Sequence, residues 1–362
     1  MYSDFNFVKV YLMLGQACDF NCRYCCQHEH QVKLTKHPSE KLIKYIQHLA
    51  DIRPRNITGI SKDLEMVFFG GEPLLYLKTI KLVINQVNRI NIKYVIVSNG
   101  NKLTQDIVDY INENNIHFTL SNDGRYTNKT RDRNVLEDNN FVNLFKQINN
   151  RSINMVLTQY SQDLFDNYQY FDSKLGLTYV SLGDFLVDEN TPSDIYDFDY
   201  DKWEDTCDRL KNRLFEIYTT DSSNDLSKYH EVQLVGPDIK QYFNFIDGKA
   251  EFPKCGHYRN VVSIDLDGNF FLCHNGMSKF CNCEQDGVKV AKLAAVHFAN
   301  LRNNHNKPCK NCIAIPFCQE GCPFVKYDER QEKICKIQRI YARKILELIK
   351  MIDEYNSTDI EL

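Results

Sequence analysis

The chain has 362 residues, of which 43% are hydrophobic and 25% charged, with a net charge of −4. These are ordinary globular values for a chain long enough for one barrel-sized domain and a smaller one. There is no concentrated basic run of the kind that grips nucleic acid and no apolar run long enough to span a bilayer, so neither nucleic acid nor membrane is an expected partner. The opening MYSDFNFVKV lacks the charged, apolar and small-residue order of a secretion signal. A cytoplasmic location is therefore expected, and the 14 cysteines read as metal ligands rather than disulfides.

Strand-like and helix-like segments alternate through the N-terminal half. Apolar strand candidates are Val8–Leu14, Met66–Phe69, Tyr94–Val97, Phe118–Leu120, Ile153–Leu157 and Tyr179–Leu182. Between them, helical periodicity runs from Pro38-Ser39-Glu40 through Leu42, Ile46 and Leu49, then over Leu75–Ile90, Thr104–Asn114, Asn139–Asn149 and Gln162–Lys174. This alternation predicts an α/β fold with a parallel sheet and helices outside. Six strands are too few for a closed eight-fold barrel, so the expectation is an open, partial (β/α)6 TIM-like barrel, with chemistry at the C-terminal strand ends. A helix is expected over Asp197–Thr219, then a bridging stretch with little pattern over Ser222–Lys254. A cysteine-rich region runs from Cys255 to Cys335, and Lys333–Tyr355 closes the chain as an amphipathic helix. The expected division is residues 1–220, a bridge over 221–254, and a small domain over 255–362.

The motifs that carry chemistry sit at the expected strand ends. Directly after the first strand, Cys18, Cys22 and Cys25 fall within eight residues, in Cys-Asp-Phe-Asn-Cys-Arg-Tyr-Cys. Three thiolates so close can hold three corners of a 4Fe–4S cluster and leave one iron open, whereas a cluster kept for electron transfer takes four cysteines. Zinc is the competing reading, with Cys26 as a substitute ligand, although no second C-x2-C knuckle lies nearby. After the second strand comes Gly70-Gly71-Glu72-Pro73, whose glycines let backbone pass close to a ligand. After the third and fourth stand Ser98-Asn99-Gly100 and Ser121-Asn122-Asp123-Gly124, polar residues that read equally as ligand contacts or helix caps.

The C-x3-C-x2-C spacing, with Tyr24 before its last cysteine, resembles the radical S-adenosylmethionine (SAM) superfamily. That resemblance implies that Cys18, Cys22 and Cys25 bind a cluster whose open iron chelates SAM, and that one electron then yields a 5′-deoxyadenosyl radical that abstracts hydrogen from substrate. It further implies that Gly70, Gly71 and Glu72 meet the SAM amino group, with Ser98, Asn99, Ser121 and Asp123 at its ribose or methionine part. Relatives continue past Asp-Gly with a proline, a His-Asp pair and an arginine for the SAM carboxylate. Here the proline and histidine are missing, and either Arg131 or Arg133 would supply that guanidinium.

Downstream, Cys255, Gly268 and Cys273 are followed by Cys309-x2-Cys312-x5-Cys318-x3-Cys322 and then Cys335. Alone, the four-cysteine run also fits a zinc knuckle. The ordered set of seven resembles the SPASM domain of radical SAM enzymes, which holds two auxiliary 4Fe–4S clusters, for three clusters in all. By that resemblance Cys309, Cys312, Cys318 and Cys335 close one cluster, and Cys255, Cys273 and Cys322 hold the other. The fourth iron of the latter is then open or taken by Cys281 or Cys283. Cys207, on an expected helix, reads as a buried or incidental thiol, with hydrogen-atom donation in radical chemistry as its alternative.

SPASM-bearing relatives mostly modify peptides or protein side chains. The resemblance therefore implies maturation of a ribosomally made precursor peptide, with a flavodoxin- or ferredoxin-like electron donor. The alternatives are a sulfatase-maturating enzyme that makes formylglycine and a non-catalytic iron–sulfur or zinc protein. In the sulfatase maturases an aspartate base follows the second cysteine of Cys-x-Gly-x4-Cys; here His274 stands there, and it reads as a satisfied structural histidine.

Overall fold

The computed structural model of the chain describes residues 7–25, 27, 37–52, 63–176, 178–183, 187, 189–223, 225–226, 228–249, 255, 257, 260–275, 279–284, 292, 294, 296–297, 299–301 and 308–358. The elements begin β1 (Lys9–Met13), α1 (Glu40–Asp51), β2 (Leu64–Phe69), α2 (Leu77–Val87), β3 (Ile92–Ser98), α3 (Gln105–Glu113), β4 (His117–Ser121), α4 (Asn139–Lys146), β5 (Arg151–Val156), α5 (Leu164–Leu175) and β6 (Tyr179–Gly183). There follow α6 (Ser193–Tyr196), α7 (Tyr200–Thr220), α8 (His230–Ile246), β7 (Val261–Asp265), β8 (Asn269–Phe271), β9 (Lys279–Asn282), α9 (Ile315–Cys318) and α10 (Glu329–Thr358). They group into two compact units that are not collinear with the sequence. Residues 1–121, 135–152 and 255–301 form one; residues 122–134, 153–254 and 302–362 form the other.

In the first unit a sheet runs in the order β4-β3-β2-β1-β7-β8-β9. Its strands from β4 to β7 are parallel, and β8 and β9 turn back antiparallel. Period two sorts the side chains. Val10 and Leu12 are fully buried, while Tyr11 between them faces the other way, opposite Val67 and Ser263. Helix α1 starts where Ser39 Oγ accepts from Leu42 N at 3.3 Å, and it buries Leu42, Ile46 and Leu49, one turn apart. Asp138 caps α4 in the same way, and Phe145 of that helix meets Phe118 of β4 with ring centroids 6.1 Å apart.

The six strand–helix repeats and the α/β partial (β/α)6 barrel stand as expected. Two things differ. The bridging stretch over Ser222–Lys254 contains α8, a 17-residue helix with Gly236 and Pro237 in its middle. These two helix breakers hide its period. The cysteine-rich region also adds β7, which pairs with β1 at Tyr11–Ser263, a non-local contact that no local pattern announces.

In the second unit α7 and α10 pack along each other. Trp203 Nε1 donates to the Ile337 carbonyl at 3.0 Å, and Lys344 Nζ lies between Asp208 (2.8 Å) and Glu204 (3.1 Å). Cys207 is buried on α7, as expected. Helix α8 is held by Gln241 Nε2 donating to the Pro316 carbonyl at 3.2 Å and by Asp238, which accepts from Tyr341 Oη at 2.8 Å.

Because Leu12 is fully enclosed and Ile90 fully exposed, Leu12→Ala is expected to cost about 3 kcal/mol and Ile90→Ser less than about 0.5. Denaturant midpoints of the two variants check this.

Candidate active site

The segment before Cys18 is sewn to the tip of β2 by backbone. Leu14 N donates to Phe69 O (2.9 Å), Gly71 N to Gly15 O (2.9 Å) and Glu72 N to Ala17 O (2.8 Å). Ala17 N donates to Tyr76 Oη at 3.0 Å. The approach is so close that a Cβ on Gly70 would stand 2.2 Å from Gly15 O, and one on Gly71 2.3 Å from Ala17 O. The two glycines are therefore required by the cysteine loop itself. The loop then carries Cys18, Cys22 and Cys25, all half-buried, with Cys25 N donating to Cys22 O at 3.0 Å. Burial pushes the Cys18 thiol up to about 11, against a 3.4 Å hydrogen bond from Phe20 N.

Glu72 is the hub of this region. Its carboxylate is buried, and Oε1 accepts from Leu74 N and Ser98 Oγ, each at 2.8 Å, while Oε2 accepts from Asn99 N at 2.8 Å. Burial pushes its pKa up to about 7, and those three donors oppose the shift. Ser98 Oγ also accepts from Gly100 N at 2.9 Å. Ser98 and Asn99 thus serve first to bind the strand tips together.

A second carboxylate does the same work in the other unit. Asp123 is buried, with Oδ1 accepting from Val156 N (3.0 Å) and Oδ2 from Thr130 Oγ1 (2.6 Å) and Arg131 Nε (3.1 Å). Of the two candidate arginines, Arg131 is held at the strand tip, its side chain 9% exposed, whereas Arg133 is exposed. Asn122, which carried no assignment, braces the same turn through Asn134 and Thr127. Ser121 ends β4, half-buried.

The downstream cysteines fall in both units. Cys309 and Cys312 share a turn (3.0 Å), Cys318 closes α9, and Cys335 lies on α10, where Gln331 Nε2 is 3.7 Å from its sulfur. Burial raises the Cys335 thiol, with Cys312 among the neighbours adding to the rise. Cys322 follows α9, its carbonyl accepting from Val325 N. In the first unit, Cys255 lies 3.4 Å from His257 Nδ1, and Cys273 accepts from Asn275 N at 3.4 Å. Cys281 and Cys283 are buried on or beside β9. Cys281 pairs with Phe270, whose ring meets Tyr45 of α1, and the Cys283 sulfur would stand 2.7 Å from a Cβ on Gly268. Among the described residues, no three His, Cys, Asp or Glu side chains converge as a metal-holding group. The fit to iron rests on donor chemistry: three half-buried thiols carried on one loop.

His274 departs from the sequence expectation. Its ring stacks on Tyr11 (centroids 4.1 Å apart) and meets Phe69 edge-on at 4.7 Å, and its buried Nδ1 has no hydrogen-bond partner among the described residues. Burial lowers its pKa to about 3, helped by the nearby His257 and Lys9. It is therefore neither satisfied nor poised near neutrality. His257, lowered by burial to about 4, bonds Ser263 Oγ at 2.9 Å.

Parallel strands bearing a three-thiol loop after β1 and a Gly-Gly-Glu tip after β2 define an open-barrel α/β enzyme. Residues 12–156 match the model of the radical SAM superfamily, so this segment is a radical SAM domain. A domain of this kind uses SAM and a 4Fe–4S cluster. The chain is 25% identical to the radical SAM cyclopropyl synthase TigE of Paramaledivibacter caminithermalis, covering 96% of this chain and 75% of that protein. It is also 25% identical to a cysteine-type anaerobic sulfatase-maturating enzyme of Clostridium novyi, over 84% of each chain. The structure of native anSMEcpe with bound AdoMet and Cp18Cys peptide shares the fold, with a TM-score of 0.65, 14% identity, and coverage of 95% of this chain and 99% of that one.

The close backbone approach gives a direct test. Gly71→Ala is expected to cost about 3 kcal/mol, because backbone rather than a mobile side chain must give way. Gly236→Ala, whose added Cβ meets nothing within 4 Å, is expected to stay level or gain up to about 1 kcal/mol. Paired denaturation curves measure both.

Proposed function

We propose that this chain is a radical SAM peptide maturase in which Cys18, Cys22 and Cys25 hold the SAM-binding cluster. The observation that carries this is the sewing of their loop onto the Gly70–Glu72 tip, where backbone packs too closely to admit a side chain. When bound, the cluster and SAM supply one-electron, hydrogen-abstracting chemistry. The chain's own residues do the rest. Glu72 locks the tips of β1, β2 and β3, and Ser98, Asn99 and Ser121 line the strand ends. Asp123 orients Arg131, whose guanidinium fork suits the SAM carboxylate.

The same proposal assigns residues 255–362 as a SPASM domain with two further 4Fe–4S clusters, one on Cys309, Cys312, Cys318 and Cys335, the other on Cys255, Cys273 and Cys322. Seven cysteines in that order support it. The substrate is a ribosomally made precursor peptide, and a flavodoxin- or ferredoxin-like protein supplies the electron in a reducing cytoplasm. The relative TigE, named a cyclopropyl synthase and aligned over 96% of this chain, supports a carbon-centred modification. Formylglycine formation is the second reading, favoured by the sulfatase-maturating relative; His274, where those enzymes carry an aspartate base, weighs against it.

Anaerobic reconstitution is expected to load roughly twelve irons per chain, the sum of three 4Fe–4S clusters. Dithionite and SAM should then yield 5′-deoxyadenosine. Replacing Cys18, Cys22 and Cys25 together with alanine should abolish that product; its persistence would sink the assignment. A precursor peptide that loses two hydrogens supports maturation, and an aldehyde at Cys or Ser of a sulfatase-derived peptide supports the second reading.

A further inference from the structure

Asp19 stands inside the cysteine loop, next to Cys18, and no motif assigns it a role. Its two oxygens reach two amides of the loop between β3 and α3. Oδ1 accepts from Asn99 Nδ2 at 2.9 Å and Oδ2 from Asn101 Nδ2 at 2.7 Å. Lys102 Nζ is 3.6 Å from Oδ2, and the Asp19 side chain is 17% exposed. Asn99 is tied at its other polar groups as well: its Oδ1 accepts from Asn101 N at 2.8 Å and its backbone N donates to Glu72 at 2.8 Å. The same Nδ2 that bonds Asp19 lies 4.0 Å from Cys18 Sγ.

An ionised carboxylate only accepts hydrogen bonds, so it fixes both amides with their nitrogens toward the cysteine loop. Such charge-assisted bonds are stronger than neutral ones. With Glu72 on one side and Asp19 on the other, Asn99 couples the tip of β2 to the loop that carries Cys18. Backbone alone does not make this second connection, because the bonds from residues 14, 71 and 72 end at Ala17.

We infer that Asp19 is a positioning residue, a two-amide latch that holds Cys18 and Asn99 in the register SAM requires. The inference rests on the proposed cluster and SAM site. Removing the latch leaves all three thiols in place, so iron binds while SAM affinity falls.

The test uses the full chain, reconstituted anaerobically, with Asp19→Asn and the exchange variant Asp19→Asn/Asn101→Asp. In the single variant only one side-chain atom of residue 19 still accepts, and the charge assistance to both amides is lost. In the double variant the carboxylate has changed sides and the hydrogen bond returns. Iron content, SAM affinity and the SAM-induced change in the electron paramagnetic resonance spectrum of the reduced cluster are measured together. Asp19→Asn is expected to retain its iron, bind SAM about tenfold more weakly, near 1.4 kcal/mol, and show a diminished spectral change. The exchange variant is expected to recover to within about threefold. SAM binding by Asp19→Asn within about twofold of the parent, or a double variant as weak as the single, overturns the latch. If a variant loses iron, amide hydrogen exchange of the metal-free chains decides. Residues 16–20 and 99–102 should exchange faster in the single variant and recover in the double, and equal exchange overturns the inference. A parent protein that binds iron but no SAM sinks the proposed function instead, which is a distinguishable result.

Discussion

The buried carboxylate of Glu72 is the constraint on which the site depends. An ionised carboxyl removed from water is costly unless donors replace its hydration. Here the donors are the Leu74 and Asn99 amides and the Ser98 hydroxyl. Two of the three belong to the tip of β3, so satisfying the charge means bringing the ends of β2 and β3 together. The Glu72 amide meanwhile bonds Ala17, at the threshold of the cysteine loop. One residue thereby joins three strand ends, and Gly70 and Gly71 allow it because any side chain there would collide with residues 15–17.

Asp123 repeats the arrangement with a guanidinium in place of one of the two backbone amides. Its oxygens accept from a backbone amide, a threonine and Arg131, and the pair is almost fully enclosed. A buried ion pair of this kind is weak support for stability, since desolvation offsets much of the attraction. Its effect is geometric: Arg131 is held in one direction before any ligand arrives. Preorganised donors of this sort spare a site the cost of ordering them on binding.

Much of this was legible in the chain. All six barrel strands read correctly because buried parallel strands are short apolar runs bounded by turn residues, and Ser39 marks a helix start. Helix α8 was not legible, because Gly236 and Pro237 interrupt its period and few of its residues are enclosed. Nor was the pairing of β7 with β1, which joins residues some 250 positions apart. The site motifs read as ligand contacts or, for the polar residues after β3 and β4, equally as helix caps. Ser98, Asn99 and Asp123 turn out to spend much of their hydrogen bonding on neighbouring protein groups, a fact that lives in the packing of strand tips and has no sequence signature. Tyr76, whose hydroxyl accepts from Ala17 N, carries no sequence signature for the same reason.

His274 bears on the choice between the two functional readings. The residue follows Cys273 and lies flat on Tyr11, with Phe69 at its edge, in the layer between β1, β2 and β7. A carboxylate in this aromatic setting would need donors of its own, as Glu72 and Asp123 have, and the described neighbours of the ring are chiefly the faces and edges of other rings. Imidazole tolerates the position because its neutral form stacks well and asks for less. The surroundings of residue 274 are thus built for an aromatic ring rather than for the aspartate base of formylglycine formation. A chemistry that relies on hydrogen abstraction and needs no carboxylate at this point fits the observed packing better, which is why peptide maturation stands ahead of sulfatase maturation.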